Sequence, residues 1–142
     1  MRIGEWHGIA ALVALVCAVA LPALAQPAAS YKNGSEFYLA YRVAFDKATS
    51  IDELLPWVAR ERREVISKAP AAERKEGFEM MKMFDDRRSV KVVRETPSAT
   101  GAELQVEGVS AESQAKATGV ITLLKEDGAW KIVRESWKGG GR

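Results

Sequence analysis

The sequence is nearly without the two residue types on which most side-chain catalysis and metal binding depend. It holds one histidine, His7, and one cysteine, Cys17, and both lie within the first 25 residues. That segment reads as a leader removed on export. The chain left behind would have neither residue. It cannot then assemble a Ser-His-Asp triad, a cysteine nucleophile or an ordinary zinc site. No disulfide can form within it either, although export would permit one. Chemistry, if any, falls to Asp, Glu, Tyr, Lys or Arg. A phosphate-cradling glycine loop and a dinucleotide fingerprint are also missing, and Gly139-Gly140-Gly141 belongs to a terminal tail. No cofactor is expected. Charge of one sign is lacking too: 21 Lys and Arg face 19 Asp and Glu, for a net +2. Arg2 and Glu5 would leave together with the leader, so the balance persists. It argues against nucleic acid as a partner, which favours a strongly basic face.

The leader is defined by an uncharged run, Ile9 to Ala25, 17 residues long. That is below the roughly 20 residues that span a bilayer comfortably. Pro22 breaks the run near its end. Ala23-Leu24-Ala25 supplies the small-x-small pattern that a signal peptidase accepts, which places the cut before Gln26. Cys17 does not make a lipoprotein signal, because Val16 precedes it and the apolar run continues beyond. Residues 1–25 therefore read as a signal peptide and the product as periplasmic or secreted, with no membrane span after cleavage. An uncut anchor would leave the same domain outside the membrane. Removing 25 residues from 142 leaves 117. That is the size of one domain, long enough to bury a core without staples.

After a flexible leader at 26–34, the pattern turns helical. Ser35 is placed to cap, and Phe37, Tyr41, Ala44, Phe45 and Ala48 recur at spacings of three and four. Leu39 and Val43 widen the stripe, so deep burial of this helix is expected. Ser50-Ile51-Asp52-Glu53 has the form of a capping box. It opens a short helix through Leu54 and Leu55, which Pro56 interrupts. Trp57 to Ser67 reads as a helix buried through Val58, Val65 and Ile66, with Arg60, Arg62, Arg63 and Glu64 in water. Pro70 suits a first helical position. Ala71 to Phe84 continues from it, with Phe78 and Met81 inward and Met80, Met81 and Met83 as pliable core filler.

Beyond Arg88 the period becomes two. Strands are expected around Val90–Val93, Ala102–Glu107, Ala115–Leu124 and Trp130–Trp137. Asp127-Gly128 between the last two favours a tight hairpin. That turn sets Lys125 opposite Trp130 and Leu123 opposite Ile132. Strict alternation then puts Ile121, Leu123, Trp130 and Ile132 on one face and Leu124, Val133 and Trp137 on the other, with Val120 beside them. A slip of one residue would exchange the faces. Helices followed by a four-strand antiparallel meander make an α+β domain over residues 35–138, with a flexible tail at 139–142.

Three features together carry a family resemblance: Phe37 to Phe45, then Ser50-Ile51-Asp52-Glu53-Leu54-Leu55-Pro56-Trp57, then Glu126-Asp127-Gly128-Ala129-Trp130-Lys131-Ile132. They resemble the nuclear transport factor 2-like superfamily, in particular its small exported bacterial members. The resemblance implies a cystatin-like roll in which helices pack on a curved antiparallel sheet. It also implies a choice among isomerases, dehydratases, small-ligand binders and dimeric adaptors, because one fold hosts many functions.

These residues support three functional expectations. The favoured one is a non-enzymatic binding or interaction module. Its first form uses a dimer or envelope-partner surface of Val120, Leu124, Val133 and Trp137, too apolar a set for a face that simply meets water. Its second form uses a small apolar pocket between helix and sheet, lined by Tyr38, Tyr41, Trp57, Phe78 and Met81 with Arg42 or Arg134 as polar anchor. The alternative, implied by the resemblance, is an acid–base isomerase or dehydratase, for which Asp46, Glu135 and Tyr41 are the candidates. A carboxylate buried beside a tyrosine in a cavity would be its mark. No residue is assigned a metal.

Overall fold

A computed structural model describes residues 31–85 and 88–139. The signal peptide expected at 1–25, most of the leader and residues 140–142 lie outside them. Helix α1 (Gly34–Lys47) starts where Asn33 Oδ1 accepts the Glu36 N–H at 2.8 Å. Asn33 is thus the cap, and not Ser35 as expected. Ser35 is engaged elsewhere: the Glu95 carboxylate accepts the amides of Gly34 and Ser35 at 2.9 and 3.0 Å and also the Ser35 hydroxyl. A carboxylate suits the exposed amides of a helix start. Burial pushes Glu95 up, but these bonds outweigh it and hold the carboxyl below its ordinary range. Tyr31, expected in the flexible leader, packs against Phe37 and Trp57.

The buried stripe of α1 is Phe37, Tyr38, Tyr41, Arg42 and Phe45. Leu39 and Val43 fall outside that arc and are 42 % and 53 % exposed. The expected deep burial therefore does not extend to them. A 3₁₀ helix (Ile51–Trp57) comes next, burying Ile51, Leu54 and Trp57 at its natural spacing of three. The expected capping box forms only in half: Glu53 reaches back to Ser50, and still more to Thr49. Glu53 accepts the Thr49 amide and hydroxyl at 3.1 and 2.7 Å, and the Ser50 hydroxyl caps nothing. Val58 then bridges to Ile132, and the Ala59 amide donates to the Ile132 carbonyl at 2.8 Å. That extended pair delays α2 (Arg60–Lys68), which buries no residue at all. In α3 (Ala71–Asp85) only Phe78 is buried. Met81 is half-buried, whereas Met80, Met83, Phe84 and α2's Val65 are exposed, so the expected methionine filler reduces to Met81.

The strands are β1 (Ser89–Pro97), β2 (Gly101–Val109), β3 (Lys116–Glu126) and β4 (Ala129–Gly139), antiparallel in the order β1-β2-β3-β4. The α+β order of helices then meander is as the sequence implied. Asp127 and Gly128 both take left-handed backbone angles, φ 51° and 79°, as a tight hairpin turn requires. Lys125 faces Trp130 and Leu123 faces Ile132, as expected. Past Ile132 the alternation breaks. Thr122 pairs with Arg134, so Val133 is an extra residue, a β-bulge. The bulge reverses the phase of everything after it. Glu135 sits opposite Ile121 and Trp137 opposite Gly119, both on the inner face. A Cβ on Gly119 would stand 2.9 Å from the Trp137 ring, so glycine makes the room that Trp137 occupies. Arg88 covers the ring at 4.5 Å. Val93 forms a second bulge, in β1. The core between α1, the 3₁₀ helix and the sheet joins Phe37, Tyr38, Leu54, Leu104, Ile121 and Ile132, each at most 1 % exposed.

Candidate functional site

The inner face carries a polar cluster inside this apolar layer. Tyr38 and Arg42 lie one turn apart on α1 and project to the same side. The Tyr38 hydroxyl donates to Glu135 Oε1 at 2.7 Å. Arg42 Nη2 donates to both Asp85 oxygens at 2.7 and 2.9 Å, with the two side chains 9 % and 12 % exposed. Asp85 is the last residue of α3, and Glu135 points inward only because of the Val133 bulge. Glu135 is half-buried as a residue. Burial raises the Glu135 pKa, and the Tyr38 bond with the nearby Arg42 and Arg62 charges offsets this only in part. Burial, followed by Glu135, also pushes the hydroxyls of Tyr38 and Tyr41 up, so both stay neutral. Burial alone would lower Arg42, but Asp85 leads the groups that raise it. The arrangement is a carboxyl that holds its proton to higher pH than usual, next to a neutral phenol. This is a pair able to donate and accept a proton.

The void beside Tyr41, next to this cluster, is small. A void of about 10 Å³ lies against Tyr41, Leu54, Val58, Arg62, Ile66 and Met81. That is the size of one water molecule. Of the residues expected to line a pocket, Tyr41 and Met81 line this void, while Tyr38, Arg42 and Trp57 are buried outside its lining. Tyr38 and Trp57 lie about 6.0 Å on either side of Tyr41, ring to ring. Phe78 is packed under Lys82 on α3. Arg134 belongs to the other face of the sheet, opposite Thr122. Asp46 is exposed at the end of α1, apart from the Tyr38–Glu135 pair.

The second candidate is the outer face. The register stacks its side chains in rows across the sheet: Glu107, Thr118 and Lys138; then Gln105, Val120 and Ser136; then Glu103, Thr122 and Arg134. An open groove of about 330 Å³ runs over Val93, Gln105, Glu107, Thr118, Val120 and Lys138. Val93 and Val120 line it, 53 % and 41 % exposed, and the bulge residue Val133 is 37 % exposed. Of the four expected interface residues, Val120 and half-buried Leu124 point outward and Val133 is the exposed bulge. Trp137 is a correction: the bulge turns it inward, under Arg88. Strict alternation from Ile132 would have buried Arg134, Ser136 and Lys138. That conflict was the readable sign of a bulge, and sequence reasoning passed over it. It also missed Asp85 as the partner of Arg42, since nothing local links residues so far apart in the chain.

No protein-family model, curated protein or solved structure matches the chain. Among the described residues, no helix is long and apolar enough to cross a membrane. No group of three or more acidic residues there is placed to hold a metal ion.

Proposed function

We propose that the protein is an exported, periplasmic or secreted interaction module of the nuclear transport factor 2-like kind, and that it works by associating with itself through the outer face of its sheet. The single observation that carries this is the exposure of Val93, Val120 and Val133 on a sheet face that no described helix covers. An apolar groove framed by charged residues is the usual form of a partner surface. Sedimentation velocity on the purified chain tests the reading. A dimer is expected, and Val120→Arg, which places a charge in the centre of the groove, is expected to leave a folded monomer. A wild-type chain that sediments as a monomer at every soluble concentration would exclude self-association.

A second reading rests on a different observation, the 2.7 Å bond between Tyr38 and Glu135. This pair supports the acid–base alternative, in which Glu135 moves a proton and Tyr38 steadies the oxygen that gains charge. Deuterium exchange beside the carbonyl of small apolar ketones, followed by NMR, tests it. Exchange lost in Glu135→Gln favours this reading, and exchange equal to the protein-free rate removes it. The void against Tyr41 has room for about one water and is lined by neither Tyr38 nor Glu135, which places this reading second.

A further inference from the structure

The outer face has a charge pattern that selects one way of pairing two copies. Strand β2 presents Glu103 and Glu107, and β4 presents Arg134 and Lys138. Between them β3 presents Thr118, Val120 and Thr122 without charge in these rows, and exposed Lys116 lies on the same face one row beyond Thr118. The acidic and basic stripes are therefore equidistant from β3 and on opposite sides of it. They are also in register: Glu107 shares a row with Lys138 through Thr118, and Glu103 shares one with Arg134 through Thr122.

From this pattern, and resting on the self-association proposed above, we infer that the partner is a second copy related by a two-fold axis running along β3, between the stacked sheets. Rotation about that line keeps each residue at its own height along the strand and exchanges left with right. Glu107 of one copy then faces Lys138 of the other, and Glu103 faces Arg134. Each contact occurs twice, because a two-fold interface is isologous. Val120 meets Val120 on the axis, between Thr118 and Thr122 above and below. Sheets stacked face to face lie about 10 Å apart and are rotated by about 30°, a span that long Lys, Arg and Glu side chains bridge. Lys91 and Arg94 of β1 fall outside the overlap, beyond the partner's β4.

The competing two-fold axis crosses the strands through Val120. It lays β2 on β2 and β4 on β4 with the row order inverted. Glu107 would then face Glu103, and Lys138 would face Arg134, so all four contacts repel. Like charges set face to face exclude a partner arrangement more strongly than opposite charges reward one. The same apolar centre serves both arrangements, and only the charges distinguish them.

Reversing single charges separates the arrangements by sign. With the axis along β3, Glu107→Lys sets two lysine pairs against each other and weakens the dimer by about tenfold or more. Lys138→Glu weakens it similarly, by making two pairs of glutamates. Combining both changes in one chain restores the wild-type dissociation constant. With the crossing axis, Glu107→Lys would face Glu103 and tighten the dimer instead. All these side chains are exposed, so the variants keep the fold, which circular dichroism verifies. Sedimentation equilibrium on the wild type, the two single variants and the double variant decides the matter. Weakening by each single change with recovery in the double supports the inference. A dimer that Val120→Arg abolishes but Glu107→Lys strengthens or leaves unchanged overturns the β3 axis and leaves self-association standing. A wild-type monomer overturns both.

Discussion

Helix α1 and the α2–α3 pair carry similar apolar periodicity, yet the fold uses them differently. α1 lies against the inner face of the sheet and buries Phe37, Tyr38, Tyr41 and Phe45 to 3 % exposure or less. α2 buries nothing, and α3 buries Phe78 alone. Both reach the rest of the protein mainly through the 3₁₀ helix. Polar ties do the rest: Arg42 with Asp85, Arg74 with Asp52 at 3.2 Å, and Lys82 with the Phe45 carbonyl. The difference shows that an apolar stripe is necessary for a core helix but does not make one. What decides is whether a second apolar surface is present to receive it. The sheet has one such inner face, and α1 with the 3₁₀ helix fills it.

Truncation in the body should therefore have the largest effect. Ile132 and Leu104 are 0 % exposed and meet α1 or the 3₁₀ helix across the core. Ile132→Ala and Leu104→Ala are each expected to cost about 2–5 kcal/mol, read as a shift of the urea midpoint at unchanged slope. A cost below about 1 kcal/mol at either site would mean that the layer between α1 and the sheet is not the core.

A smaller effect is expected at the polar cluster between the two regions, where it depends on pH. The Glu135 pKa is raised by burial. The folded protein then binds that proton more tightly than the unfolded chain does. Stability contributed by Glu135 is full below its unfolded pKa and falls as pH rises through the window up to the raised folded value. Glu53 and Glu95 are shifted downward and give the opposite slope. The informative quantity is thus the difference between the wild type and Glu135→Gln. The glutamine still accepts the Tyr38 hydroxyl but does not titrate. Urea melts across that window should show the wild type losing stability relative to the variant as pH rises. A constant difference would place the carboxylate in water. Tyr38→Phe removes the donor and is expected to cost about 1–3 kcal/mol, more at high pH than at low.

How much of this was legible in the sequence depends on the range of the forces involved. The change of period at Arg88, the Asp127-Gly128 turn and the Leu123–Ile132 register are local, and they were readable. Asn33 in place of Ser35 as cap depends on Glu95, which is distant in sequence and close only after the sheet forms. The exposure of Leu39 and Val43 depends on no second layer covering α1 among the described residues. The Val133 bulge had the widest consequences, since one extra residue moved Trp137 out of the expected interface and Glu135 into the core. Periodicity carries no signal for an insertion of one, except that the residues it would misplace are charged. Arg134 and Lys138 supplied that exception.

The smallest effect should come from α2, and it is the sharpest test of the comparison. Val65 looked like a core position from its spacing, but it is 68 % exposed. Val65→Ser therefore removes almost no buried area and is expected to change stability by no more than about 0.5 kcal/mol. A helix pair with one buried apolar anchor, one enclosed ion pair at its end (Arg42–Asp85) and otherwise solvent-facing ties should also open without the sheet. Native-state hydrogen exchange is expected to show amides at 60–85 exchanging through a smaller opening free energy than those of β2 and β3. A denaturant series would then find the two sets converging only near global unfolding. If Val65→Ser instead costs as much as Ile132→Ala, or if 60–85 exchange only with the sheet, α2 and α3 belong to the same cooperative unit as α1. Phe78 and the Arg42–Asp85 pair would then have to hold more of the fold than their contacts account for.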